Sequence, residues 1–423
     1  MKKGLLAASA LAAALAVGLG GAYGGSSAVP GVTAKTVKVG GTYPFTGSAA
    51  SYTPIARGTG AYFSYENATK RGADKARGCG GRQVKWVALD DGYNPTQTVT
   101  QTVRLVKDEK VFATLGGLGT EPQQAVRGYL NNNKVPQVYV ATGATFFDAD
   151  RKDFPWTIGW QPDYQAEGAI YGRRIKANAP NSKIAILYQN DDYGKDYIAG
   201  FEGGLGKNKS QIVATRGYNA LTDTSVASQL LALRQSGADT LMIFALPTFT
   251  IRAYATLKAI GWKPSTIYQN SVSATDAFMG AAVALSSADT VNGSISVQYL
   301  KDPANPEWNN DAGMKLYKAI MAKYYPSGRV TDGLYLYGMA KARSFCNVLD
   351  AIGKNLTRAT LMAKIRNFTE TDKMNPFFLP GVSSTTSKND NFPISAERLI
   401  QFKDGTWNPI GKLVDPRPTK KTK

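Results

Sequence analysis

Histidine is absent from this chain, which removes the usual general base, the commonest metal ligand and the usual neutral-pH switch. Hydrolytic, zinc-dependent and pH-sensing functions lose their simplest routes, and no metal or cofactor is expected. Cysteine is nearly absent too: Cys79 and Cys346 suit either one disulfide in an exported chain or two buried thiols. Acidic residues are few beside basic ones, 31 against 50, for a formal net charge of +19. The basic residues are spread along the chain and form no aromatic-basic cluster, so no nucleic-acid partner is expected, and the excess suits the steering of anionic solutes.

Long apolar runs are also missing beyond the N-terminus. Leu5 to Leu19 follow Met1-Lys2-Lys3 and close on small residues, a pattern that reads as a secretory signal peptide over residues 1–28, cleaved after Ala22 or Ala28 and too short to span a bilayer. The exported chain would carry +17 once Lys2 and Lys3 are lost. Its length of about 395 residues is too great for one compact core and implies two lobes.

What is present is an alternation of strand-like and helix-like segments, the pattern of repeated βαβ units. The most telling stretch is Val111 to Ala125, VFATLGGLGTEPQQA. Its first five residues suit a strand buried on both faces. After Gly116, Gly117 and Gly119 comes Thr120-Glu121-Pro122, read as an N-cap hydroxyl and the first turn of a helix. Such a strand, loop and helix start leaves backbone N–H groups at the carboxyl edge of a sheet, where open α/β folds bind small ligands and where anions are favoured. Similar units are expected at Thr36 to Val39, Gln83 to Leu89, Gln137 to Val140, Lys183 to Tyr188, Gln211 to Ala214, Thr240 to Ala245 and Thr266 to Gln269. Long helices follow near Pro306 to Tyr325 and Thr331 to Gly353, then a terminal hairpin turning at Lys403 to Thr406. Asp90-Asp91 does not read as a catalytic pair, because adjacent residues at a strand end point to opposite sides. GFEGGLGK, Gly200 to Lys207, lacks the spacing of a phosphate loop.

PGVTAKTVKVGGTYPFTG, VALDDGYNP, TLGGLGTEPQQA, KVPQVYVATGA, AILYQNDDYGKD and GADTLMIFA occur in this order. Together with the N-terminal segment they resemble the type I periplasmic solute-binding proteins of the leucine/isoleucine/valine-binding class. The resemblance implies an α/β fold of two lobes, each a mostly parallel sheet flanked by helices, joined by three crossover segments. It places the first lobe at residues 29–160 and 299–398 and the second at 161–298 and 399–423. It implies a monomeric, extracytoplasmic binding protein, not an enzyme, that hands a solute to the permease and ATPase of an ABC importer. An extracellular sensor using the same clamp is the alternative.

Carried over position by position, the resemblance implies a ligand carboxylate held at Thr120 and at Ala141-Thr142-Gly143, and aromatic walls at Tyr52 and Tyr193. Leu246 stands where relatives place a second tyrosine. Ser271 stands where they place a glutamate for the ligand's ammonium, so another carboxylate must replace it or the ligand lacks the amine. Asp163, Glu121 and Asp276 are the candidates. On the same map both cysteines fall in the first lobe, and a Cys79–Cys346 disulfide is expected.

Overall fold

The computed structural model describes residues 29–71 and 76–416; the signal peptide expected over residues 1–28 lies outside them. From the N-terminus the chain forms β1 (Thr36–Tyr43), α1 (Thr53–Ala68), a two-strand ribbon of β2 (Lys70–Arg71) and β3 (Ala76–Arg77), β4 (Gln83–Asp90) and α2 (Pro95–Lys107). Then come β5 (Ala113–Leu115), α3 (Thr120–Asn132), β6 (Gln137–Val140), the short α4 (Phe146–Ala149) and β7 (Thr157–Gly159). The five long-sheet strands of this half run in the order β4-β1-β5-β6-β7, and all their pairings are parallel.

The second half repeats the plan with α5 (Tyr164–Asn178), β8 (Ile184–Gln189), α6 (Asp192–Leu205), β9 (Ile212–Tyr218), α7 (Ala227–Gln235), β10 (Thr240–Phe244), α8 (Pro247–Ala259), β11 (Thr266–Gln269), α9 (Asp276–Leu285), α10 (Ala288–Val291) and β12 (Ile295–Gln298). The chain then returns through α11 (Ala312–Tyr324), α12 (Gly333–Ile352), α13 (Arg358–Ile365) and the ribbon β13 (Phe368–Thr371) with β14 (Ser383–Thr386). It ends in the hairpin β15 (Glu397–Lys403) and β16 (Thr406–Val414). That hairpin joins the second sheet, ordered β16-β15-β12-β11-β10-β8-β9, through the antiparallel pair β12 and β15.

Right-handed crossovers dictate the layers. The chain steps from β1 outward to β4, then back across β1 to β5, so α1 lies on one face of the first sheet and α2 and α3 on the other. The second sheet does the same between β8, β9 and β10. Each sheet therefore has a reversal of strand order, between β1 and β5 and between β8 and β10, and the crevice outside the strand ends at such a point is where open α/β sheets hold ligands.

The returning helix α12 covers α1, and glycine makes that contact possible. A Cβ on Gly58 would lie 2.2 Å from the carbonyl oxygen of Tyr335, and one on Gly338 would lie 2.1 Å from that of Ile55. Thr59 fills the seam, its hydroxyl donating to Ile55 O at 2.9 Å and to Gly338 O at 3.2 Å. Cys79, in the turn before β4, is bonded to Cys346 on α12, so the expected disulfide is present and fastens the same helix.

One expectation needs correction. Thr120 does not cap α3: the cap position is Gly119, at φ 102°, and no side chain fills the role.

Candidate ligand cleft

The loops at the two strand-order reversals face each other and enclose a cavity of about 140 Å³. Tyr52 arrives from the loop after β1, Thr120 from that after β5, Tyr193 from that after β8 and Leu246 from that after β10, and all four line the wall. Ala141, after β6, and Ser271, after β11, join them. Six of the eight expected ligand residues are thus brought together. Thr142 and Gly143 stand behind the wall. Gly143 is packed where a Cβ would lie 2.4 Å from Pro162 O. A cavity of this size is comparable to the engineered ~150 Å³ voids that admit benzene.

Thr120 is 1 % exposed, and its hydroxyl lies 2.6 Å from that of Thr142. Thr142 in turn lies 3.3 Å from the hydroxyl of Tyr164. Hydroxyl hydrogens rotate to suit their partners, so the three form a relay whose direction reverses according to what Thr120 meets. An anion in the cavity would draw the donors toward itself.

The second lobe supplies a wall held from behind. Glu167 is buried; its Oε1 accepts from Tyr171 Oη at 2.8 Å and Ser271 N at 2.7 Å, and its Oε2 from Tyr197 Oη and Ser271 Oγ, both at 2.7 Å. Burial pushes this carboxyl up, against the pull of those bonds. Ser271, where the resemblance led to the expectation of a glutamate, is therefore anchored by a glutamate one layer deeper. Tyr193 stands edge-on to Tyr164 and Tyr197 at centroid distances of 5.2 and 5.6 Å, and its hydroxyl bonds Asn270. Leu246 N donates to Tyr218 Oη at 2.9 Å.

Direct bonds cross between the lobes. Tyr52 donates its hydroxyl to Val272 O at 3.0 Å, and Thr248 donates to Ser48 O at 2.9 Å. Tyr52 is 5 % and Tyr193 2 % exposed, so both rings are covered where the lobes meet. Burial pushes the hydroxyls of Tyr52, Tyr93 and Tyr193 well above their ordinary value, so they remain neutral and able to donate.

Several wall residues were not anticipated. Tyr93, Tyr164, Tyr299 and Tyr337 bring the tyrosines lining the cavity to six. Tyr93 follows Gly92 with both residues at positive φ, 61° and 57°; Asp91 steadies the turn by accepting Tyr93 N at 3.0 Å. The DDGYNP motif carried that signal. Tyr337 belongs to α12 and donates to Gln161 Oε1 at 2.8 Å.

Among the candidate carboxylates, Asp163 caps α5 by accepting Ala166 N at 2.9 Å, and Glu121 is exposed. Neither lines the cavity. Asp276 sits beside it and hydrogen-bonds Asp302, the one carboxyl side chain among the described lining residues. Burial, then the neighbouring Asp302 charge, pushes Asp276 up to about 8, so the two carboxyls share a proton near neutrality. Among the described residues no group of three or more metal-ligating side chains occurs, and no described helix is long and apolar enough to cross a membrane.

Two facing lobes meet around a small, tyrosine-lined cavity, the plan of a solute-binding protein, and residues 36–406 match the periplasmic binding protein family. The chain belongs to that family, whose members and relatives here are substrate-binding proteins, not enzymes. It is 27 % identical over 195 residues to the leucine-, isoleucine-, valine-, threonine- and alanine-binding protein of Pseudomonas aeruginosa, a match spanning 46 % of this chain and 48 % of that one. In fold it resembles a branched-chain amino acid ABC transporter protein of Thermus thermophilus with bound valine, at TM-score 0.75 and 15 % identity over 90 % of this chain and 97 % of that one. It also resembles the fatty acid ABC transporter substrate-binding protein of Thermomonospora curvata, at TM-score 0.73 and 18 % identity over 91 % and 94 %.

Proposed function

We propose that this protein captures a small organic solute bearing a carboxylate, either an amino acid or a plain carboxylic acid, and delivers it outside the cytoplasmic membrane to the permease and ATPase of an ABC importer. The observation that carries this reading is the hydroxyl relay that brings Thr120 and Tyr164 to the wall of a cavity between the two lobes. Amino acids and fatty acids, for which the relatives are named, share the carboxylate and differ in what lies beyond it. In this reading residues 29–160 with 299–398, and 161–298 with 399–423, are the two bodies that close. The placing of β7 and β8 in different sheets, and of the terminal hairpin beside β12, supports those limits. Tyr52, Thr120, Ala141, Tyr193, Leu246 and Ser271 contact the ligand, Thr142 acts through Thr120, and Gly143 shapes the loop. The protein works as a monomer. Closure is hinge motion stabilised by contacts that the ligand makes only in the shut state.

A thermal-shift comparison of leucine and valine with 4-methylpentanoate and 3-methylbutanoate tests this. A ligand at about 100 times its Kd adds ~2.7 kcal/mol to stability, which for a chain of this size raises Tm by about 3 °C. A response to the amino acids alone shows that the site holds the ammonium, for which Asp302 with Asp276 offers the carboxyl pair at the wall; a response to the carboxylates alone shows an organic-acid binder. No response to any of the four sinks the reading.

A further inference from the structure

Lys341 lies on α12 one turn beyond Tyr337, and it is 0 % exposed. Its Nζ donates to Gly116 O and to Tyr43 Oη, each at 3.2 Å, while Tyr43 Oη donates onward to Leu115 O at 3.1 Å. The rings of Tyr43 and Tyr337 flank the ammonium at 5.3 Å each. Gly116 is at φ 63°, and a Cβ there would lie 2.0 Å from Nζ. The loop after β5 is therefore folded directly over this cation, and the same loop carries Gly119 and Thr120 to the cavity wall.

No carboxylate pairs with Lys341 among the described residues. The titratable side chains that face it are Tyr43 from β1 and Tyr337 from its own helix; β5 and its loop offer only carbonyl oxygens, and α1 meets α12 there through Thr59. Asp91, just after β4, acts on Tyr43. A buried ammonium with no counter-charge is strongly disfavoured against an apolar residue of similar volume, and its rings and two neutral acceptors compensate only in part.

We infer that Lys341 is the counter-charge for an anionic group of the ligand held at the Gly116–Thr120 loop, and that it makes the cleft select carboxylates over neutral solutes of the same shape. The inference rests on the reading of the cavity as the ligand site. Lys341 does not touch the ligand. It is a positioning charge one peptide layer below, acting through the Gly116 loop and the Tyr337 ring, where the low dielectric preserves its field. A pH dependence follows. Burial pulls the ligand-free ammonium down to about 7, and an anion above it restores the proton. The complex then binds more protons than the empty protein, so affinity for a carboxylate falls as pH rises above about 7 and is flat well below it.

The test is calorimetric titration of the wild type, Lys341→Met and Lys341→Gln with 4-methylpentanoate and 4-methylpentanamide at pH 6, 7 and 8.5. The expected result is a wild type that prefers the carboxylate and loses up to about tenfold in affinity for it per pH unit above 7, with the amide unaffected. Both variants lose about tenfold or more for the carboxylate at pH 6, keep only the shallower pH slope that ionisation of the Asp276–Asp302 pair beside the cavity imposes, and keep the amide affinity. Equal binding of acid and amide by the wild type, or a flat wild-type profile, overturns the inference while leaving the cavity as the ligand site, and these two results do not depend on how either variant folds. Binding of neither probe by the wild type overturns the inference, and it removes the reading of the cavity as well if leucine and valine also fail to bind.

Discussion

Replacing both cysteines, Cys79→Ala with Cys346→Ala, removes the disulfide without burying new hydroxyls, and the structure sets the size of the effect. The bond joins residues 267 apart, and closing a loop of that length in the unfolded chain corresponds to about 5.6 kcal/mol in the chain-entropy model. Unfolding entropy of ~2.1 cal/mol/K per residue makes about 0.8 kcal/mol/K for a chain of this size. The midpoint should fall by about 7 °C in a reversible thermal melt. Ligand affinity should stay within about twofold, because Cys346 lies two and a half turns, roughly 14 Å, along α12 from the cavity-lining Tyr337. A fall of less than about 2 °C would refute the entropic argument. A tenfold loss of affinity would refute the claim that the bond acts on the lobe and not on the cleft.

Tyr52→Phe removes the inter-lobe bond to Val272 O. At about 0.5–1.5 kcal/mol for a net hydrogen bond, ligand affinity measured by calorimetry should fall about two- to twelvefold; an unchanged affinity would mean that the bond does not belong to the ligand-bound state. Asp302→Asn replaces a shared proton by an amide donor. With Asp276 raised to about 8, the folded state holds more protons than the unfolded one from about pH 4 to 8, so wild-type stability declines as pH rises through that window. The variant's melting profile should be flatter there, and an identical slope would count against the pair.

How far the site could be read in advance follows from chain geometry. Tyr52, Thr120, Tyr193 and Leu246 each follow a strand that borders a reversal of strand order, and strand, glycine or proline, then helix start is a local pattern. Thr142 and Gly143 come from the same kind of loop but one or two residues later than Ala141, and at a strand end that step decides between the wall and the layer behind it. Thr120 carried two competing chemistries, cap and ligand donor; the cap position falls on Gly119, and the Thr120 hydroxyl instead meets Thr142, 22 residues on. Tyr299, Tyr337 and Asp302 were not legible. Tyr337 lies in LYLYGMAKARSFC, which reads as a buried helix and is one; that the helix's first turns end at the cleft depends on a packing partner nearly 300 residues earlier. Lys341, in the same run, breaks an apolar pattern, and that break was the available signal. Ser271 marked the loss of an expected charge, but Glu167 behind it is known only once α5 is packed against the second sheet.

The seam between α1 and α12 also bears on how the chain reaches this state. The five strands of the first sheet are complete by Gly159, yet α1 buries Ile55, Tyr62 and Phe63, and Tyr62 and Phe63 meet Phe377 and Phe345. Until those residues arrive, the first lobe is a sheet with an uncovered helix, and its apolar face stays open while the whole second lobe is made. Contacts this distant in sequence slow folding and prolong the exposure of sticky surface. The N-terminal half is therefore committed to waiting for the C-terminal half, so that any truncation before α12 leaves not one finished lobe but an aggregation-prone fragment.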